Sequence, residues 1–299
     1  MSQQASTHEL LVVPEPERGL LAVKGPDRAS WLNGVVTCDA QGLEPGRATL
    51  GLLLGKQGKI QTDFYLIAEQ DRLLLALAPD TLAPTHATLE RLLVMEDAEL
   101  EALGAELAVV AIHGSGATPL AQSVALSLGG SAAELDLTGL GGAVLTVPRA
   151  SLDQALAALI AGGATLADAD TWLELRLRRA VGTFGVDYGP NDNPHEAGLD
   201  RRAISWTKGC YLGQEVVCMQ DLRGKLKRRL SLLELEPGEA PAQGAPVYAA
   251  DGSEVGEITS ARRGAERSFA LARLKAPHFD AGSTLTVAGR AGRVLPGPA

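Results

Sequence analysis

Eight consecutive residues, Lys208 to Glu215, carry an unusual density of side chains that can do chemistry. This segment, KGCYLGQE, contains an amine, a thiol, a phenol, an amide and a carboxylate. Its two glycines disfavour an unbroken helix or strand, so we expect the segment to form the wall of a binding site. Cys210 follows Lys208 by two positions, and a neighbouring cation favours the thiolate form of cysteine. We therefore predict that Cys210 is a reactive thiol and that Lys208 activates it.

Two alternatives for Cys210 stay open at this point. Free cysteine is among the residue types most often buried, so the thiol could be inert. His195 lies fifteen positions upstream, which suits a cysteine–histidine hydrolase only if the fold brings the two side chains together. Cys210 and Cys218 do not have the spacing of a familiar zinc or iron–sulfur site, so we predict no metal centre.

The most basic stretch of the chain follows, with Arg223, Lys225, Lys227, Arg228 and Arg229. We predict that a strand starts here, and strand alternation places Arg228 on the same side as several leucines. A charge on an apolar face needs a partner, which is either an anionic ligand or a carboxylate of a neighbouring domain. A solvated edge strand, in which basic residues block aggregation, is the alternative. Upstream, residues 191–193 have the composition of an ordinary surface turn.

Composition narrows the class of protein. The chain has 299 residues and a formal net charge of −9, which argues against a general nucleic-acid binder. Its three cysteines are too few and too scattered for a disulfide framework. The first ten residues lack the features of a secretory signal peptide, and no uncharged apolar run approaches the ~20 residues of a membrane-spanning helix. We therefore expect a reduced, cytoplasmic protein that binds neither membranes nor, directly, nucleic acid.

The pattern of predicted elements favours an α+β fold. A short strand at residues 20–23 leads into a helix that Asp27 is expected to cap. Strands at 49–54, 59–67 and 72–78 are followed by a helix from Pro84, then by a strand at 95–100, a strand at 107–112 and a helix at 116–128. Further strands are expected at 135–137 and 144–147, and Ser151 and Thr171 are each expected to open a helix with a capping box.

Short strands without intervening helices characterise the chain after Gly224 and predict a small β-barrel or sandwich. The predicted domains are residues 1–46 together with 131–223 (a discontinuous α+β domain), residues 47–130 (a second α+β domain) and residues 224–299 (the barrel).

The segment at Lys208 also resembles a known family signature. KGCYLGQE is similar to the KGCYxGQE motif of the YgfZ-type folate-binding proteins, which belong to the superfamily of the glycine-cleavage T-protein, an aminomethyltransferase. Other motifs agree in order: Trp31-Leu32-Asn33, Gly58-Lys59-Ile60, Leu175-Arg176, Gly182 with Asp187, Pro194-His195-Glu196-Ala197-Gly198-Leu199, and Val255-Gly256 with Thr259-Ser260. The resemblance covers roughly residues 18 to 290.

This resemblance implies a ring of three domains, two α+β and one C-terminal β-barrel, around a cavity that holds tetrahydrofolate or a one-carbon derivative. It implies a role in the assembly or repair of iron–sulfur clusters, with radical-SAM and tRNA-modifying enzymes as clients and assembly proteins as possible partners. The residues expected to line the cavity are Lys208, Cys210, Tyr211, Gln214 and Glu215.

A bound folate needs particular chemistry from the protein. A carboxylate can pair with the amino-pyrimidine edge of the pterin, and Glu196 and Glu215 are the candidates. Tyr211 is a candidate for packing against the pterin ring. The anionic glutamyl tail could meet Lys208, Arg223 or Arg228.

The chain departs from the T-protein pattern in the strand after Gly58. The transferase has an acidic pair there, whereas this chain has Thr62 and Asp63 and so retains one acid. Asp63 is therefore a further candidate folate contact. A folate-binding accessory protein is the favoured prediction, and a tetrahydrofolate-dependent aminomethyltransferase or related one-carbon transferase is the alternative.

Overall fold

The computed structural model describes residues 10–264 and 266–297. These residues form two compact units. The first unit contains residues 10–54, 61–168 and 203–212, and the second contains residues 55–60, 169–202, 213–264 and 266–297. Each unit has its own sheets and core, so we describe each separately.

The first unit contains two five-stranded sheets. One has the strand order β10-β1-β7-β9-β8 and the other the order β3-β4-β5-β2-β6. The strands are β1 (Leu11–Glu15), β2 (Gly19–Lys24), β3 (Ala48–Leu54), β4 (Ile60–Ala68), β5 (Leu73–Leu77), β6 (Glu99–Ala102), β7 (Leu107–His113), β8 (Ser131–Glu134), β9 (Gly142–Pro148) and β10 (Thr165–Leu166). The helices are α1 (Arg28–Asn33), α2 (Pro79–Leu92), α3 (Ala117–Leu128) and α4 (Leu152–Ala161), the last preceded by a 3₁₀ turn at Arg149–Ser151.

Strand alternation explains the layers of the first unit. In β2, Leu20 and Ala22 belong to a core cluster that also contains Val109 of β7 and Val144 of β9, so the two sheets pack face to face. Their neighbours Leu21 and Val23 point the other way, into a cluster shared with α1 and α2. Helices α3 and α4 cover the outer face of the sheet that contains β7 and β9 in the same manner. The strands β2, β5 and β7 are thus buried on both faces, which accounts for their continuous apolar runs in the sequence.

The second unit is built on a closed six-stranded barrel with the strand order β11-β14-β13-β12-β15-β16. The strands are β11 (Arg228–Leu235), β12 (Pro246–Tyr248), β13 (Glu254–Arg262), β14 (Ser268–Lys275), β15 (Thr284–Val287) and β16 (Arg290–Val294). Two helices accompany the barrel, α5 (Ala169–Arg178) and α6 (Gln214–Arg223). Alternate residues of the strands, such as Leu233 and Leu235, fill the barrel interior.

The fold class predicted from the sequence is confirmed: the chain is α+β and ends in a small β-barrel. The Asp251-Gly252 pair, a sequence typical of hairpin turns, lies between β12 and β13, which pair antiparallel around it, and Gly252 has a φ of +83°.

Local details at helix and strand ends were predicted less well. The carboxylate of Asp27 does not cap α1 but accepts a hydrogen bond from the Asp97 amide at 2.9 Å. Ser151 makes no capping hydrogen bond, and Thr171 lies inside α5 instead of at its start. The strand predicted at 135–137 is instead β8, four residues earlier, and β16 was not predicted.

Strand pairing crosses two of the predicted domain boundaries. β2 pairs with β5 on the other side of residue 46, and β7 pairs with β9 on the other side of residue 130. The basic stretch was predicted to be the start of a strand, but Arg223 ends α6 and β11 begins only at Arg228. The division into three domains itself stays a prediction.

Within the described ranges 10–264 and 266–297, no helix has the length and apolar character needed to cross a membrane.

Candidate functional site

Lys208 belongs to the first unit and is held by main-chain oxygens. Its Nζ atom donates hydrogen bonds to the carbonyl oxygens of Asn33 at 2.5 Å, Val36 at 2.6 Å and Cys38 at 2.9 Å. We call these three carbonyls the lysine cradle. An ammonium group has three N–H donors, so the cradle uses all of them. The carbonyls lie at and just beyond the C-terminal end of α1, where oxygens lack partners within the helix.

Thr37 attaches the same loop at a second point. Its hydroxyl donates to the carbonyl oxygen of Ala203 at 2.5 Å and accepts a hydrogen bond from the Leu52 amide at 2.9 Å. Its carbonyl oxygen accepts from the Ser205 amide at 3.0 Å. Residues 203–208 are therefore fixed to the segment after α1 from both ends, which rigidifies the loop that leads to Cys210.

The three cysteines differ sharply in environment. Cys210 is exposed, Cys218 is half-buried on α6, and Cys38 is buried. Burial raises the pKa of the Cys38 thiol to about 12, although nearby Lys208 opposes this shift. Cys38 is therefore an inert core thiol, whereas Cys210 is open to solvent reagents.

Burial also changes the pKa of Lys208. Loss of solvent lowers the pKa of Lys208 to about 8, while Cys38 and Asp39 oppose the shift. The ring of Tyr211 lies 5.2 Å from the Lys208 Nζ atom, a cation–π distance, and Tyr211 is itself buried. Lys208 and Tyr211 thus stabilise the loop on either side of Cys210.

Asp63 lies on β4 in the first unit and is buried. It interacts electrostatically with Arg18 and with Tyr65, two positions along the same strand face. Arg18 Nη2 donates to the Tyr65 hydroxyl at 2.9 Å, and Arg18 Nε donates to Glu15 at 2.9 Å. Its guanidinium also lies 4.0 Å from the centre of the Tyr65 ring. Asp63 therefore lies within electrostatic range of the Arg18 guanidinium.

In the second unit, Gln214 and Glu215 open helix α6 and Arg223 ends it. Gly213 precedes the helix with a φ of +82°, which glycine adopts without strain. The signature segment is thus part loop and part helix, as its two glycines suggested. Glu215 and Arg223 are exposed, and neither takes part in an ion pair among residues 10–264 and 266–297. An acid in the first turn and a base in the last turn suit the helix dipole.

Arg228 forms ion pairs with carboxylates of its own unit. Its Nη2 atom donates to the Asp192 carboxylate at 2.9 Å and to the Asn191 carbonyl oxygen at 3.1 Å. Arg273 Nη2 donates to the other carboxylate oxygen of Asp192 at 3.0 Å. Asp192 is buried, so the interpretation of residues 191–193 as an ordinary surface turn was wrong. Asp192 needs these two arginines because an unpaired buried carboxylate is costly.

Glu196 lies beside this cluster. Its Oε2 atom accepts a hydrogen bond from the Asn193 amide at 3.2 Å and lies 3.5 Å from Lys59 Nζ. Its Oε1 atom lies 3.6 Å from Arg228 Nε. The fold therefore brings Glu196 and Arg228 together, as two of the predicted site residues. The Glu196 carboxylate retains acceptor capacity, because it has about four lone-pair sites and, among residues 10–264 and 266–297, its second oxygen has only this long contact.

A second buried cluster joins residues from three of the motifs that carried the family resemblance. Arg176 donates to the Asp187 carboxylate at 2.9 Å and to the Ser260 hydroxyl at 2.8 Å. The Thr183 amide donates at 2.8 Å to the carboxylate oxygen that Arg176 binds, and the Thr259 hydroxyl donates to the other oxygen of Asp187 at 2.6 Å. These motifs therefore share a structural role: they attach α5 and the loop after it to β13.

Several residues around the predicted site were not anticipated. Two examples are Arg18, which acts on Asp63, and Arg273, which binds Asp192. They have no local sequence signal, because each acts on a residue far away in the chain. The carbonyls of the lysine cradle carry no side-chain signal at all. Charged residues on otherwise apolar strands, such as Arg273 in β14, were the one available hint.

Comparison with known proteins identifies the family of this chain. The family model described as the GCVT N-terminal domain matches residues 17–136, and the glycine cleavage T-protein C-terminal barrel domain matches residues 228–297. An aminomethyltransferase of Thermosynechococcus vestitus is 28% identical over 81% of this chain and 70% of its own length. The tRNA-modifying protein YgfZ of Serratia proteamaculans is 26% identical over 95% of this chain and 90% of its own length.

A solved structure supports the same assignment at the level of fold. The glycine cleavage system aminomethyltransferase T of Bartonella henselae superposes with a TM-score of 0.81, at 19% identity, over 97% of this chain and 86% of that one. The two family models together cover more than half of the sequence, one at each end. This chain therefore belongs to the glycine-cleavage T-protein superfamily, with YgfZ-type proteins among its relatives.

Proposed function

We propose that this protein binds a reduced folate and acts as an accessory protein in iron–sulfur cluster assembly or repair, with Cys210 as its functional thiol. The observation that carries the proposal is the contrast between Cys210 and Cys38. Cys210 is exposed on a loop that the lysine cradle and Thr37 hold in place, whereas Cys38 is buried with a raised pKa. A reactive thiol needs access as well as a fixed position.

The relatives support this choice of function. Several similar proteins carry the name tRNA-modifying protein YgfZ, and one of them aligns over 95% of this chain. We propose that the clients are tRNA-modifying and radical-SAM enzymes that contain iron–sulfur clusters, and that the chain contacts these enzymes or their assembly proteins instead of the tRNA. The net charge of −9 favours a protein partner over a nucleic acid.

Some of the predicted site residues have side chains that are available to bind a folate. The Glu215 carboxylate is exposed and outside the ion pairs of the described ranges, so it can pair with an amino-pyrimidine edge. Glu196 retains acceptor capacity for the same task, and Arg223 is available for an anionic tail. Arg228 fits less well, because Asp192 and Asn191 already occupy its Nη2 atom. When bound, a reduced folate would supply its pterin and any one-carbon group that it carries.

A one-carbon transferase is the second candidate. It is favoured by Asp63, the one retained acid of the pattern, and by the similarity to an aminomethyltransferase. Thr62 stands where the transferase pattern has its other acid, so we favour the accessory role. Release of a one-carbon unit from an aminomethyl-lipoyl carrier separates the two candidates, because only the transferase predicts turnover.

Calorimetric titration with tetrahydrofolate tests the folate proposal. We expect micromolar binding to the wild-type protein and about tenfold weaker binding to Glu215→Ala, since one charge-assisted pairing is lost. Glu239→Ala is the matched control, because Glu239 is an exposed glutamate of the same unit with a partner of its own. Absence of binding at millimolar tetrahydrofolate would overturn the folate proposal, and equal effects of both substitutions would remove Glu215 from it.

A further inference from the structure

Helix α6 presents an apolar stripe to solvent. Val216, Met219 and Leu222 follow one another at three-residue spacing and are 39%, 46% and 86% exposed. Residues three or four apart lie on the same face of a helix, so these side chains form one continuous strip. Among the residues of α6, Val217 is the buried apolar one. The helix therefore turns more apolar side chains outward than inward, the reverse of an ordinary surface helix.

Charge is distributed unevenly along this strip. Glu215 lies at its N-terminal end, and Arg223 lies at its C-terminal end, followed by Lys225 and Lys227. All four charged side chains are exposed, and none of them takes part in the ion pairs or hydrogen bonds found among residues 10–264 and 266–297. In a chain with a net charge of −9, three unpaired cations beside an apolar strip form a local basic pole.

We infer that this face of α6 is a docking surface for an acidic amphipathic helix of a partner protein. An apolar stripe of two turns matches the leucine-rich face of such a helix, which is a common mode of recognition. The charge pattern sets the direction, with acidic residues of the partner at the Arg223–Lys227 end. The inference rests on the proposed function for the existence of a protein partner, but it does not depend on folate.

Defined peptides test this inference on the full-length protein. The probe is a fluorescent synthetic helix with leucines on one face and glutamates beside them, and the control has lysine at every glutamate position. We expect the acidic peptide to bind and the basic one not to bind, by fluorescence anisotropy. Met219→Ser with Leu222→Ser should weaken binding about tenfold or more, because two apolar contacts are lost. Lys225→Glu with Lys227→Glu should weaken it as well, and the wild-type affinity should fall with added salt.

Matched controls separate docking from general effects. Leu126→Ser removes an equally exposed leucine, 88% accessible, from α3 in the first unit and should leave peptide binding unchanged. The Met219→Ser and Leu222→Ser protein should keep the tetrahydrofolate affinity of wild type. If these substitutions abolish peptide binding and leave tetrahydrofolate binding intact, the result concerns the docking surface alone. If the wild-type protein does not bind tetrahydrofolate, only the folate proposal is overturned.

Several results would overturn the inference. Equal binding of the acidic and basic peptides would do so, as would peptide binding that survives both double substitutions. Another is tighter binding of an RNA hairpin that Lys225→Glu with Lys227→Glu abolishes and that Met219→Ser with Leu222→Ser leaves intact, since the surface would then recognise nucleic acid. The last is self-association of the protein that Leu222→Ser abolishes, since the strip would then be covered by a second copy of the chain.

Discussion

The loop before Cys210 in the first unit and the loops around Asp187 and Asp192 in the second unit are held by different physical means. In the first unit, Lys208 is the cation and neutral carbonyl oxygens are its partners. In the second unit, arginines face carboxylates: Arg176 with Asp187, and Arg228 and Arg273 with Asp192. Carbonyls supply hydrogen bonds without a compensating negative charge, so burial lowers the pKa of Lys208 to about 8. An arginine remains charged at any ordinary pH, which makes its pairing with a carboxylate insensitive to base.

This difference indicates what each attachment provides. The arginine–carboxylate clusters of the second unit fix a scaffold, because breaking either leaves a buried charge. The lysine cradle fixes a loop that bears an exposed thiol, and its hold depends on a single ammonium. The first unit also buries His113, whose pKa burial lowers to about 4. We therefore expect the first unit to be the one whose stability responds to pH.

The largest effect should come from removing the buried charge in the second unit. Asp187→Asn keeps the shape of the side chain but leaves Arg176 without its counter-ion, and Asp187 is fully buried. We expect the free energy of unfolding to fall by about 3–5 kcal/mol. Urea unfolding followed by circular dichroism measures this change. A loss below about 1 kcal/mol, the range of exposed ion pairs, would show that the cluster is not the scaffold proposed here.

Lowering the pH should destabilise mainly the first unit, because His113 becomes protonated. The unfolded protein binds the His113 proton at a higher pH than the folded protein, so stability is lost as the pH falls from 6.5 towards 4. The shift corresponds to about 3 kcal/mol. We expect His113→Gln to flatten the dependence of the unfolding free energy on pH across this window. Parallel curves for the two proteins would contradict a buried neutral histidine.

Breaking the lysine cradle should have a smaller effect. Lys208→Met leaves the carbonyls of Asn33, Val36 and Cys38 without their donor, and we expect a loss of about 2 kcal/mol. The Ser205 amide, which donates to Thr37, should exchange its hydrogen faster as the loop loosens. Lys225→Met, which removes an exposed lysine that forms no ion pair within the described part of the chain, is the control and should change neither quantity.

The same variant distinguishes an anchor from an activator. If Lys208 serves only to hold the loop, the dependence of Cys210 alkylation on pH should keep its shape in Lys208→Met. A displaced curve would support the sequence-based prediction that Lys208 activates the thiol.

The smallest effect should come from an exposed ion pair of the second unit. Glu174 contacts Arg178 at 2.9 Å and Arg262 at 2.8 Å, but its side chain is 40% exposed. We expect Glu174→Gln to cost less than about 1 kcal/mol, and the cost to shrink further in high salt. Urea unfolding at two salt concentrations checks this. A loss as large as that of Asp187→Asn would remove the distinction between buried and exposed pairs.

The layers of this fold follow from the sequence more readily than its contacts. Continuous apolar runs such as residues 73–77 marked the buried strands, and short strands after Gly224 marked the barrel, because both signals are local. Helix starts were harder: Asp27 has the right side chain for a cap, but a loop amide 70 residues away takes its carboxylate. Capping propensity is weak enough for a tertiary contact to override it.

The candidate site stays a prediction, and its contacts were harder to predict than its local structure. The two glycines of the segment at 208–215 indicated that it is not one regular element, and it is a loop followed by the start of α6. Lys208, however, donates a hydrogen bond to a carbonyl oxygen 175 positions away. Such a contact cannot be predicted from the sequence, because every residue has a main-chain oxygen. Arg228 had been expected to need a partner, and its partners are the carboxylates of Asp192 and Glu196. The spacing of residues in the sequence could not show whether the partner of Arg228 is a carboxylate of the protein or an anionic ligand, since either one neutralises the guanidinium charge.

Complementation of a deletion strain tests the central claim, that the exposed thiol on the anchored loop is the functional group. The measured quantity is the activity of an iron–sulfur tRNA-modifying enzyme in cells that lack their own copy of this protein. We predict that Cys210→Ala fails to restore that activity while it folds normally and binds tetrahydrofolate, and that Cys218→Ala restores it. Full restoration by Cys210→Ala would contradict the claim and would leave folate binding as the remaining candidate function of the site.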